Sequence, residues 1–216
     1  IDTTEIKIGT NAGATNQGSN CVAIGNIAGQ TNQPANSTCL GNNSQVTATN
    51  QVQLGNSSTT TYAYGAVQDR SDERDKADIE GIHLGLDFID ALTPRSYKFD
   101  YREDYREHTT EMREVITQDE GGNDVVTHEE VTVPDTRELG EITHDGTHKR
   151  SRLHCGLVAQ EVKQVMDDLG VDFGGYQDHS INGGQDVLSI GYGELIAPMI
   201  KAIQELKAEI DILKGQ

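Results

Sequence analysis

The chain has 216 residues, with 17 basic against 35 acidic side chains, a formal net charge of −18, 5% aromatics and no tryptophan. That balance repels nucleic acid and anionic membranes, and the thin aromatic content speaks against one large conventional core, leaving one domain or two. No apolar run approaches the roughly 20 residues of a membrane-spanning helix, and no signal-peptide pattern opens the chain.

Before Ser71 the chargeable residues are Asp2, Glu5, Lys7, Asp69 and Arg70, and nearly all the others follow it, so 1–70 and 71–216 are expected to be separate units. The chain opens without Met and is expected to belong to something longer. The first unit repeats itself: IKIGTNAG at Ile6, VAIGNIAG at Val22, TCLGNNSQ at Thr38 and VQLGNSST at Val52. A short alternating strand, then Gly and small polar residues, predicts a β-coil or β-helix-like stem with one inward apolar pair per coil and a tight corner after it. Such coils bury little each and need neighbours, often sister chains, to complete a core. The alternative is a flexible Asn/Gly/Ser/Thr-rich linker, which has no reason to keep Ile or Leu before Gly four times. Cys21, Cys39 and Cys155 cannot all pair, and they show no zinc spacing; buried free thiols are expected, with no metal or cofactor.

After Ser71, Asp72–Ile79 is helix-capable, and GLDFIDAL at Gly85–Leu92 has helical apolar spacing that Thr93 and Pro94 stop. SYKFDY then alternates as a strand. Residues 104–152 are acidic and poor in core material; within them MREVITQ and VVTHEEVTVP flank DEGGND, which predicts a β-hairpin arm. So polar a hairpin folds poorly alone and is expected to lie against another surface, disorder being the alternative. CGLVAQEVKQVMDDLG is an amphipathic helix ended by Gly170. In the tail, within 194–214, Ile196, Met199, Ile203, Leu206, Ile210 and Leu213 alternate steps of three and four, the expected seam of a parallel coiled coil, a lone amphipathic helix packed on its own domain being the alternative. Ile and Leu at the seam lean toward two strands, whereas a β-coil stem is most easily completed by three chains.

Ser71 and Lys76 stand at the boundary. They could be a nucleophile and its general base, since a serine hydroxyl is weak until something accepts its proton and a neutral amine can. Burial is what disfavours the ammonium form of a lysine. On a continuous helix, positions five apart lie roughly 140° away from each other, so Ser71 must precede any helix that Lys76 joins. The other interpretation also satisfies this: Ser71 as an N-cap, Asp72 and Glu73 in the first turn, and Lys76 merely solvated.

SDERDKADI, then LTPRSYKFDY, RLHCGLVAQEV and IGYGELIAPMIKAIQELKAEI, in that order from Ser71 to about Leu213, resemble the self-cleaving intramolecular chaperone domain at the C-termini of bacteriophage tail spikes, tail fibres and neck appendages. The resemblance implies an α+β domain with a long hairpin arm and a C-terminal coiled coil, which trimerises and folds the fibre and is then released by autoproteolysis. It implies Ser71 as nucleophile, Lys76 as base and Arg70–Ser71 as the peptide cut. His154 matches a histidine that could orient groups or relay protons, a satisfied structural histidine being the alternative. Asp72 could shape the turn. Asp75 departs from the family pattern, in which an apolar residue is commoner, and the 104–152 region is unusually long and could reach along a neighbouring stem.

The expected partners are two further copies of the chain, the upstream remainder of the same fibre, and a host-surface receptor met by the N-terminal part. The expected setting is the virion, after assembly in the host cytoplasm. Two other interpretations are a non-catalytic trimerisation module and the self-cleaving domain of a membrane-bound transcription regulator. The latter needs a DNA-binding region and a membrane span that the sequence does not display.

Overall fold

The computed structural model describes residues 4–107, 109–118, 121–133, 135–181 and 183–215. Asp119, Glu120 and Pro134, which the expected hairpin includes, lie outside them. Two compact units interleave along the chain: Ile1–Thr59, Asp100–Lys149 and Asn182–Gln185 form one, and Thr60–Phe99, Arg150–Ile181 and Asp186–Gln216 the other. The expected boundary at 70/71 therefore falls inside the second unit, and the acidic insertion groups with the repeats.

In the first unit the repeats supply β1 (Glu5–Ile8), β2 (Cys21–Ile24), β3 (Thr38–Leu40) and β4 (Val52–Leu54), paired in that order as one parallel sheet. The register aligns Lys7, Ala23, Cys39 and Gln53 in one column and Ile8, Ile24, Leu40 and Leu54 in the next position along. Ala23 and Cys39 are fully buried, and with Ala12, Ala28 and Val46 they make a core of small side chains. The expectation of an inward apolar pair is corrected here. Ile6, Ile8, Ile24, Val52 and Leu54 are exposed, because side chains alternate across a strand and in β2 and β3 the small residues Ala23 and Cys39 take the inward place, Gln53 being half-buried and Lys7 exposed at the same position of β4 and β1.

Stacking at this separation dictates the residues after each strand. Gly25 has φ +132°, and a Cβ there would lie 2.5 Å from the Gly41 carbonyl oxygen. Asparagines occupy other left-handed corners, among them Asn16, Asn20, Asn32 and Asn36, as their short polar side chains tolerate. They bond from one repeat to the next, Asn16 Nδ2 to Asn32 Oδ1 and Asn20 Nδ2 to Asn36 Oδ1, both at 3.0 Å.

The insertion forms a hairpin of β6 (Thr109–Gln118) and β7 (Asp124–Val133), introduced after α1 (Leu86–Ala91) and β5 (Arg95–Tyr97) of the second unit. Nearly every described position of β6 is exposed. The base of the hairpin is anchored instead. Asp135 accepts from Arg137 Nε at 2.9 Å and from the Glu107 N–H at 3.0 Å, and Arg106 Nη1 reaches the Asp135 carbonyl at 2.8 Å. Leu139 and Ile142 are buried, the Leu139 N–H donates to Gln185 Oε1 at 3.1 Å, and the Gln185 N–H donates to the Thr47 carbonyl of the repeats at 2.6 Å.

In the second unit β5 pairs antiparallel with β8 (His154–Gly156), followed by α2 (Ala159–Leu169), the pair β9 (Tyr176–Asp178) and β10 (Leu188–Ile190), and α3 (Ile196–Lys214). Phe88, Val162, Met166, Phe173 and Leu195 form its core, with the Phe88 and Phe173 rings 5.2 Å apart. α2 ends at Gly170 with φ +64°, the left-handed stop that glycine supplies without steric cost. α3 turns Pro198 and Ala202 inward, after the buried Leu195 of the preceding turn, and Glu205 Oε2 accepts from the Leu86 N–H of α1 at 2.7 Å. Its other side is open: Ile196, Met199, Ile203, Leu206, Ile210 and Leu213 are all exposed, from 43% to 70%.

Candidate functional site

The chain from Arg70 to Lys76 turns through one 3₁₀ turn, Glu73–Asp75, and not through the longer helix expected over Asp72–Ile79. The cap also differs from expectation. Asp72, at φ −68° and ψ 133°, accepts from the Arg74 N–H at 2.9 Å, so the capping role falls to Asp72 and not to Ser71. A short aspartate competing for backbone donors favours a tight turn over helix propagation, and Lys76 leaves the turn extended, at φ −120° and ψ 147°. Arg74 Nη2 meets Asp72 Oδ2 at 2.5 Å. The Arg74 side chain, followed by its backbone N–H, holds the Asp72 carboxyl below its usual range.

Because Ser71 is free of the cap, its hydroxyl faces Lys76 across the turn. Lys76 Nζ donates to Ser71 Oγ at 2.7 Å. That distance suits proton transfer in either direction once the amine is neutral. Both residues are exposed in the single chain. Beside them an open cleft of about 850 Å³ is lined by Lys76–Leu84 and Gly170–Asp172, with Ile79 and Ile82 exposed on it.

Arg70, at the expected scissile peptide, is held by Asp75: Nε to Oδ2 at 2.7 Å and Nη2 to Oδ1 at 3.0 Å. In the sequence Asp75 stands out only as a departure from the family pattern; its spacing of five from Arg70, equal to that of Ser71 and Lys76, was the available signal.

His154 sits elsewhere in this unit. It pairs with Tyr97 in the β5–β8 ladder, and its ring lies 4.7 Å from that of Phe99 and 6.1 Å from that of Tyr97. The geometry brings Ser71 and Lys76 together and gives His154 aromatic neighbours instead. Around it, Tyr192 Oη accepts from the Leu157 N–H at 2.8 Å, and burial, then the neighbouring Tyr192 hydroxyl, raises the Tyr97 phenol above its ordinary range. Arg95 Nη2 bonds Glu161 Oε1 at 2.7 Å, tying β5 to the first turn of α2. The residues around His154 thus build an aromatic cluster that includes Tyr97 of the expected SYKFDY strand and Tyr192, for which no sequence signal pointed to this place.

Cys21 and Cys39 are buried and free, as expected of small core residues, but Cys155 is exposed, since β8 is a short two-stranded edge. Among the described residues no group of three or more His, Cys, Asp or Glu is placed to hold a metal ion, and no helix is long and apolar enough to cross a membrane. Compared with protein-family models, with curated proteins and with solved structures, the chain gives no match.

Proposed function

We propose that the chain is the distal part of a homotrimeric bacteriophage tail fibre or appendage, still joined to a chaperone that aligns three copies, folds them and then cuts itself away between Arg70 and Ser71. The carrying observation is the 2.7 Å contact between Lys76 Nζ and Ser71 Oγ, at the start of the sequence that resembles such chaperones. In the proposed step the neutral amine of Lys76 takes the Ser71 hydroxyl proton while Oγ attacks the Arg70 carbonyl carbon. The peptide C–N bond breaks, an ester forms on Oγ, and the proton passes to the departing Ser71 nitrogen. One water then hydrolyses the ester, leaving an Arg70 carboxylate and a chain that begins at Ser71.

A lysine serves as a base only as its neutral amine. Covering of the Ser71–Lys76 turn by other copies would remove water and favour the neutral amine, so scission would follow assembly. Two apolar faces support the assembly half of the proposal: the Ile8, Ile24 and Leu54 positions on the repeats and the α3 seam from Ile196 to Leu213, all exposed in one chain. Slow, non-local strand pairing benefits from an attached trimeriser that raises effective concentration, and removal of the clamp makes the product hard to reverse kinetically. In this view the repeats remain on the virion, where they are available to a host receptor.

The exposure of Lys76 also favours a second reading, a trimerisation module without chemistry. Intact mass of freshly expressed protein separates the two. Self-cleavage gives a new N-terminus at Ser71, and Ser71→Ala or Lys76→Met slows its appearance at least about a thousand-fold. An uncut wild-type trimer supports the second reading.

A further inference from the structure

The turn that sets Ser71 against Lys76 repeats the arrangement one residue earlier. Glu73–Asp75 reverse the chain, with the Asp75 N–H on the Asp72 carbonyl and the Lys76 N–H on the Glu73 carbonyl, both at 3.1 Å. Side chains five apart then meet in pairs, Ser71 with Lys76 and Arg70 with Asp75. The second pair is a two-bond fork: Arg70 Nε on one carboxylate oxygen at 2.7 Å and Nη2 on the other at 3.0 Å. A fork constrains rotation as well as distance, which a lysine point charge does not. The neighbouring cations have other partners, Arg74 in Asp72 and Lys76 in Ser71, and Asp75 is left to Arg70.

Resting on the self-cleavage reading, we propose that Asp75 is a positioning and specificity residue: it grips the guanidinium of the residue whose carbonyl is attacked, so that scission selects arginine at position 70. The ion pair spans the bond to be cut from the side of the acyl group, while Ser71 and Lys76 hold the nucleophile from the other side. Because the pair is local to the turn, it is in place before any partner covers it. Scission frees Arg70 with the upstream product and leaves Asp75 on the chaperone, which ends the grip.

Both side chains reach solvent, 82% exposed for Arg70 and 40% for Asp75, so the effect is modest and sensitive to salt. Loss of an exposed pair corresponds to a rate change of about two- to five-fold, and screening removes it near molar salt. The test is the time course of self-cleavage of the full chain, at low and high ionic strength, for wild type, Asp75→Asn, Arg70→Ala, Arg70→Lys, the double variant D75N/R70A and the reversed pair Arg70→Asp with Asp75→Arg. The trimer fraction of each is measured by sedimentation.

The proposal expects Asp75→Asn and Arg70→Ala to slow cleavage equally at low salt, the double variant to be no slower than either, Arg70→Lys to fall between, and the reversed pair to recover. All should converge at high salt with unchanged trimer fractions. Wild-type rates in both single variants, or a reversed pair slower than either, overturn it. So does a fall in trimer fraction that accounts for the lost rate. A wild-type chain that never cleaves sinks the self-cleavage reading and this inference together, whereas cleavage indifferent to positions 70 and 75 sinks this inference alone.

Discussion

Around β2 and β3 the inward side chains are Ala23 and Cys39, while Ile24 beside them stays in solvent. In the second unit Phe88, Val162, Met166, Phe173 and Leu195 turn inward together and the polar residues stay out. The contrast concerns where a chain keeps its hydrophobic surface. One region holds its large apolar groups back from its own core, and burying them by association releases roughly 25 cal/mol for every Å² removed from water. The other uses them at once and has a core of its own. α3 belongs to both patterns, since Ala202 faces inward and Ile203 outward on consecutive residues.

Charges placed on the outward column break the comparison most sharply. If the proposed trimer forms, Ile24→Asp with Leu54→Asp leaves the inward column intact and should abolish it at micromolar concentration, the thermal transition of the helical unit staying in place; trimers of this variant in sedimentation would show that the column is not an interface. Next is Phe88→Ala, which removes a fully enclosed ring and should cost about 3–5 kcal/mol in denaturant unfolding, with the signal confined to the helical unit. Gly25→Ala follows. Its Cβ would meet the Gly41 carbonyl oxygen at 2.5 Å from a left-handed backbone, so about 1–3 kcal/mol of strain should appear in the repeat transition.

Asp135→Asn sharpens the account of the hairpin base. The Arg137 guanidinium, then the backbone N–H groups of Arg137 and Glu107, hold the Asp135 carboxyl far below the usual carboxylate range. A depressed carboxyl contributes stability that is present above its unfolded value, near 3.9, and is lost as pH falls through its folded value. The variant should therefore be less stable than wild type at pH 7, and the gap should close progressively below about pH 4 in chemical denaturation. Smallest is Gly170→Ala, with open space around it but φ +64°; about 1 kcal/mol is expected, read as a lower thermal midpoint of the helical unit.

Much of the local structure was legible. Alternation on both sides of a Gly-Gly-Asn turn gave β6 and β7, the three-four spacing gave α3, and Gly170 marked the end of α2, because each signal arises within a few residues. β8, β9 and β10 were not: three-residue strands carry no usable period, and their partners are distant in sequence, as with Tyr97 and His154. At the candidate site the pairing of Ser71 with Lys76 was expected from resemblance. The clamp from Asp75 to Arg70 was not, since ion pairs follow from the path of a turn that residue types alone leave open between helix and 3₁₀.

Composition and spacing by themselves determined the change of charge at Ser71, the four repeats, the heptad spacing and the serine and lysine five residues apart. Only the tertiary structure decided that the apolar pair of each repeat faces outward, that the acidic insertion groups with the repeats, that Asp72 takes the cap from Ser71, and that His154 joins a tyrosine and phenylalanine cluster. The physical reason is one of range. Propensity and period are written along the chain, whereas the inward or outward sense of a strand and the partner of a charge depend on which distant backbone lies across from it.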